Sequence, residues 1–145
     1  MKMSVALPKK ILVAVDGSDP SMKAVSYASH LARLTGARLL FLNVVLIPAS
    51  SSSQMVEGFR RELMTKSSAI LTKSTSSAKM LDVEAQGKTL ETDRSVVEAI
   101  VEFSEKESAD LIVLDSRGIT RGRLMLGSIA AGTTNLARVP VLVVR

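Results

Sequence analysis

The sequence predicts a single α/β domain built on an open parallel sheet with helices on both faces, and three observations carry that expectation. Strand-like and helix-like segments alternate along all 145 residues in the order β-α-β-α-β-α-β-α-β, the pattern of right-handed crossovers between parallel strands. The strand-like runs are mostly continuous in apolar residues, as in Leu111-Ile112-Val113-Leu114, which suits strands covered on both faces. A basic loop carrying Gly118, Gly122 and Gly127 then connects that fourth strand to the last helix. With 46% apolar content, one core can be buried.

Lys10 to Val15 (KILVAV) reads as the first strand. It leads into Asp16-Gly17-Ser18-Asp19-Pro20, a turn in which Ser18 or Asp19 caps a helix with Pro20 in its first turn. Ala24, Val25, Ala28, Leu31 and Ala32 share one face of that helix at helical spacing, and Gly36 closes it. Arg38 to Val45 is the second strand, and Ser50 to Ser53 is a loop by composition. The helical pattern returns from Gln54 to Ala78, with Phe59, Leu63, Ile70 and Leu71 near one face, although its many Ser and Thr residues lower its intrinsic helicity.

Leu81 to Gln86 (LDVEAQ) alternates apolar and polar, which predicts an exposed edge strand followed by a loop through Gly87 and Lys88. Asp93 is the candidate cap of a helix carrying Val96, Val97, Ile100 and Val101. After the Leu111 to Leu114 strand and the glycine loop, Ser128 is expected to cap a helix running to about Ala137, and Val139 to Val144 forms the last strand.

Composition removes several functional classes. Without cysteine the chain has no disulfide, thiolate zinc site or cysteine nucleophile. No run approaches the roughly 18 apolar residues of a membrane span. Met1 to Pro8 has too short an apolar centre for a signal peptide, so a cytoplasmic protein is expected. The net charge of +5 is scattered, and the aromatic residues are Tyr27 and three Phe, so nucleic-acid binding is not expected. His30 falls on the solvent side of the first helix without an evident partner. The Walker sequence GxxxxGK[ST], GxGxxG after the first strand, HExxH, GxSxG and SGGxDS are all missing. An enzyme is therefore not expected, nor an intrinsic metal.

In sheets of this kind ligands bind beyond the carboxyl ends of the strands, where neighbouring connections leave in opposite directions. That point falls between Val15-Asp16 and Leu114-Asp115. Asp16 can accept hydrogen bonds from a ribose or a base edge, with the backbone of Ala14 and Val15 beside it, or it is an ordinary Asp-Gly turn residue. The N–H groups of Gly127, Ser128, Ile129 and Ala130, at the positive end of the last helix, attract anions. Arg117, Arg121 and Arg123 either clamp a polyphosphate or form a solvated basic loop. Asp115 repels phosphates unless one of these arginines screens it.

Taken together, KILVAVDGSDPS, ADLIVLDSRG, LGS at the last helix and VPVLVVR at the end resemble the universal stress protein family, along essentially the whole chain. The resemblance implies one domain over residues 1–145 with a Rossmann-like five-stranded sheet in the order 3-2-1-4-5. It also implies a cytoplasmic stress-response regulator and a homodimer paired through the C-terminal strand. Nucleotide-binding members share a loop of glycine, two residues, glycine, nine residues, glycine and then Ser or Thr. Gly118 matches the second glycine and Gly127-Ser128 the closing pair, whereas Asp115 stands at the first glycine and only eight residues, Ile119 to Leu126, follow Gly118.

The resemblance thus implies an adenine pocket from Ala14, Val15, Asp16, Val44 and Leu114. Its altered phosphate half comprises Asp115, Arg117, Gly118, Gly127, Ser128 and Ile129. ATP with Mg²⁺ is the implied ligand, held without efficient hydrolysis because no residue is evidently placed to activate water. The alternative is a dimeric interaction module of the same fold whose pocket is unused.

Overall fold

The computed structural model describes residues 6–49, 53–117 and 126–145. Its strands are β1 (Lys10–Ala14), β2 (Arg38–Leu46), β3 (Ala85–Thr92), β4 (Leu111–Asp115) and β5 (Val141–Val144). Between them lie the helices α1 (Asp19–Thr35), α2 (Ser53–Lys79), α3 (Val96–Lys106) and α4 (Ser128–Leu136). The five strands form one sheet in the order β3-β2-β1-β4-β5, with every pair parallel. Among the described residues no helix is long and apolar enough to cross a membrane.

Because successive strand residues point to opposite faces, β1 serves two cores at once. Ile11 and Val13 join Phe41, Ala24, Val25, Ala28 and Leu71 beneath α1 and α2. Leu12 joins Leu40, Leu42, Ile112, Leu114, Ile100, Phe103 and Ala130 beneath α3 and α4. This double coverage explains why the central strands lack a polar alternation.

α1 begins at Ser18, whose side chain accepts a hydrogen bond from the Ser21 N–H, has Pro20 in its first turn and ends at Gly36 in the left-handed conformation. Its small residues bring it close to the sheet. α2 lies equally close, and its buried serines are satisfied locally. Ser74 Oγ donates to the Ile70 carbonyl at 2.9 Å, and Ser67 Oγ shares a 2.6 Å hydrogen bond with Thr89 Oγ1 of β3. Half-exposed Phe59 lies outside this contact.

Three local expectations are corrected. The third strand is Ala85–Thr92 rather than Leu81–Gln86, so Gly87 and Lys88 belong to the strand and not to a loop. Leu81 and Asp82 instead complete a turn after α2, their N–H groups donating to the carbonyls of Ala78 and Lys79. Gly87 breaks the apolar pattern of β3 because a Cβ there would lie 2.9 Å from Leu71 Cβ. α3 is capped by Ser95, whose Oγ accepts from the Glu98 N–H at 3.2 Å, and not by Asp93. α4 has Gly127 rather than Ser128 at its N-cap, with no side-chain cap bond, and ends at Leu136.

The approach of α2 to β3 makes a direct prediction. Gly87→Ala should destabilise the protein by about 1–3 kcal/mol, because the new methyl meets the root of a helix side chain rather than a flexible tip. Gly58→Ala, in the same sheet-covering helix but with nothing within 4 Å of its Cβ position, should stabilise by up to about 1 kcal/mol. Urea denaturation of both variants checks the contrast.

Candidate functional site

β1 and β4 are neighbours whose connections part: β1 runs into α1 on one face, whereas α4, after β4, packs on the other. A cleft therefore opens at their carboxyl ends. It holds a cavity of about 120 Å³. Ala14, Val15 and Asp16 line it from the end of β1, Leu42, Asn43 and Val44 from β2, and Leu114, Asp115 and Arg117 from β4 and the residues after it. Val96 and Ile100 of α3 and Ile129 and Ala130 of α4 complete the wall.

The sequence-derived residues Ala14, Val15, Asp16, Val44, Leu114, Asp115, Arg117 and Ile129 are thus brought together around one cavity. Gly127 and Ser128 stand at the adjoining start of α4 without lining it. The Gly127 N–H is engaged, donating to the Ser116 carbonyl at 3.3 Å, which corrects the expectation of a free donor there. Gly118, Arg121 and Arg123 lie outside the described residues.

The sequence reading missed Leu42, Asn43, Val96, Ile100 and Ala130. Asn43 carried a usable signal, being the lone amide within the apolar run RLLFLNVV. It is buried and its Nδ2 donates to the Val15 carbonyl at 2.7 Å, tying the end of β1 to β2.

Asp16 is held by the turn that follows it. Its Oδ1 accepts hydrogen bonds from the Ser18 N–H at 2.9 Å and the Ser18 hydroxyl at 2.6 Å. Ser21 Oγ accepts from the Asp16 N–H at 3.1 Å, and Gly17 turns the chain with φ +84°, a value that disfavours any side chain. On its other oxygen, Asp16 accepts from Arg117 Nη2 in an ion pair. Asp115 meets Arg117 differently: its Oδ1 accepts the Arg117 backbone N–H at 2.9 Å, and its charge acts on the guanidinium without a direct side-chain contact.

Partial burial pushes the Asp16 carboxyl up, but the hydrogen bonds from Ser18 and Arg117 more than reverse this and leave it below its ordinary value of 3.8. The Asp16 hydrogen bond in turn holds Arg117 more firmly protonated.

A second, larger groove of about 820 Å³ lies between α3 and β3. Its lining mixes Lys88, Arg94 and Lys106 with Glu91, Asp93, Glu98 and Glu102, so it favours no one sign of ligand charge. The smaller cleft is the better-built site, with converging strand ends, an apolar wall and one oriented ion pair.

A parallel α/β domain with its cleft at the β1–β4 switch point defines a class of small-molecule-binding folds. The profile of the universal stress protein family matches residues 8–145, and the chain belongs to that family. It is 33% identical over 147 residues to Universal stress protein YxiE of Bacillus subtilis, covering 94% of this chain and 98% of that one. Among solved structures, a universal stress protein in complex with cAMP superposes with a TM-score of 0.74 at 25% identity, covering 97% of this chain and 98% of that one. A universal stress protein from Archaeoglobus fulgidus in complex with dAMP shares the fold, with a TM-score of 0.73 at 21% identity over 96% of this chain and 99% of that one.

The lowered Asp16 pKa sets the sign of a pH effect. Its contribution to stability is complete above the unfolded value near 3.8 and is lost as pH falls through the lower folded value. Asp16→Asn should therefore be less stable than the parent at neutral pH, with the gap closing below about pH 4. Urea midpoints measured across that range check this.

Proposed function

We propose that the chain is a stress-response regulator that binds an adenine nucleotide, ATP with Mg²⁺ in the first instance, at the β1–β4 cleft without efficient hydrolysis. The observation that carries this reading is the convergence of Asp16, an apolar cavity and the positive end of α4 at one switch point. The base occupies the cavity beside Val15 and Val44, and the ribose faces Asp16. The phosphates lie at the start of α4 near Ser128, where the helix dipole favours negative charge, and the resemblance assigns Gly118 and Gly127 to the same half of the site. At about 120 Å³ the cavity is smaller than the roughly 300–1,000 Å³ of whole-ligand pockets, which suits the base alone with the phosphates outside it. The family members solved with cAMP and dAMP support an adenine ligand. Asp16 and Asp115 each accept hydrogen bonds that orient them within the site's own turns, in keeping with a binding role.

Calorimetry with ATP and Mg²⁺ should give saturable heat, and its absence at millimolar protein favours the competing reading of an interaction module with an unused pocket. Asp115 adds a negative charge where the loop pattern of the nucleotide-binding members would have glycine. Asp115→Gly should tighten ATP binding several-fold, on the scale of about 1 kcal/mol for a nearby solvated charge. Unchanged or weaker binding would show the carboxylate to be tolerated or used.

We also propose a homodimer through β5, which supports the same role by joining two clefts. β5 is an edge strand, and the Ile112 and Ser116 N–H groups donate to the carbonyls of Pro140 and Val144. By alternation, Val141 and Val143 present their backbone groups to the open edge. A symmetry mate can pair with them across a two-fold axis. Val143→Pro removes an outward donor without touching the β4 ladder and should shift the protein toward monomer. Light scattering that finds the parent monomeric at tens of micromolar overturns this interface.

A further inference from the structure

Asp16 is the acceptor that a ribose would use in this reading, and in the structure it is already paired. Its Oδ1 is taken by Ser18, and its other oxygen accepts from Arg117 Nη2. The two residues are 101 positions apart in sequence, one after β1 and the other after β4, so their ion pair spans the cleft. Both line the cavity beneath it.

Asp115 Oδ1 accepts the Arg117 backbone N–H at 2.9 Å, an Asx turn that holds the backbone from which the Arg117 side chain departs. Arg117 also shares the cavity wall with Ile129 and Ala130 in the first turn of α4. It is therefore placed between a carboxylate on the β1 side and the helix end toward which an anion is drawn.

A ligand that uses Asp16 must break this pair. A neutral nucleoside takes the guanidinium's direct contact with Asp16 and returns none, whereas a phosphorylated nucleoside replaces it through charge-assisted hydrogen bonds. We propose that Arg117 is a charge-exchange gate that makes the cleft select phosphorylated nucleosides over their neutral counterparts, its guanidinium leaving Asp16 for phosphate as the ribose takes its place. The inference rests on the adenine-nucleotide reading of the cleft and adds to it a specificity determinant. Arg117 is nearly half exposed, so its replacement leaves no buried charge unpaired and should spare the fold.

The test is calorimetric titration of the parent and Arg117→Ala with adenosine and with AMP, beside a melting curve of each protein. Losing the gate should tighten adenosine about fivefold, the upper worth of an exposed ion pair. The same change should weaken AMP on the order of tenfold through the lost charge-assisted contact. Raising salt should strengthen adenosine binding to the parent toward the Arg117→Ala value, because salt screens the competing pair. If AMP weakens while adenosine is unchanged, Arg117 is a phosphate ligand only and the gate is overturned. If both ligands bind the two proteins alike, Arg117 is a bystander and the gate is overturned. If neither ligand binds either protein, the nucleotide reading itself falls and takes the gate with it.

Discussion

The structure depends on the burial of β1 on both faces at the middle of a parallel sheet. Ile11, Leu12 and Val13 have no exposed surface, and each such side chain contributes roughly 1.5–3 kcal/mol relative to remaining in water. Adjacent residues face opposite sides, so this burial requires helices above and below the sheet. Parallel pairing on both flanks then requires that the connections from β1 and β4 diverge. The cleft is a geometric consequence of how the central strand is buried, and its chemistry is added by the residues at the strand ends.

Much of this was legible because fully buried strands and amphipathic helices leave strong patterns. The alternating order, the Ser18 cap and the Gly36 stop follow from local chemistry that the tertiary structure does not override. β3 was misplaced because its residues answer to a neighbour instead. AQGKTLET lacks an apolar pattern, since an edge strand has less surface to bury and Gly87 is demanded by Leu71 of α2. The tidier alternation in LDVEAQ starts in a turn in which Asp82 adopts φ 59° and reaches β3 only at Ala85. The cap of α3 was misread for a similar reason, as Asp93 and Ser95 are both good N-cap types and only the path of the chain chooses between them.

The cleft was legible wherever it is made of strand ends, because Ala14, Val15, Asp16, Leu114 and Asp115 follow directly from where the strands stop. Walls contributed by other elements were not. Val96, Ile100 and Ala130 look like ordinary helix core residues in sequence, and only the folded arrangement exposes them to the cavity. Asn43 shows the intermediate case, a polar residue whose oddity in an apolar run is visible while its carbonyl partner at Val15 is not.

Asp115 illustrates how one substitution can alter a site's chemistry without straining its backbone. The loop pattern of the nucleotide-binding members that the sequence resembles would put glycine here, yet the residue lies in β4 and is not among the described residues with positive φ, so the position does not demand glycine's conformational freedom. What changes is the side chain. A carboxylate at the strand end accepts the Arg117 backbone N–H, while the guanidinium of the same residue pairs with Asp16. Two acidic groups then share one cation at the mouth of the cleft, an imbalance that an incoming phosphate worsens by itself. In the proposed exchange the compensation comes from the α4 terminus and from Arg117 leaving Asp16, so the charge balance at the mouth weighs on the choice of ligand alongside the shape of the cavity.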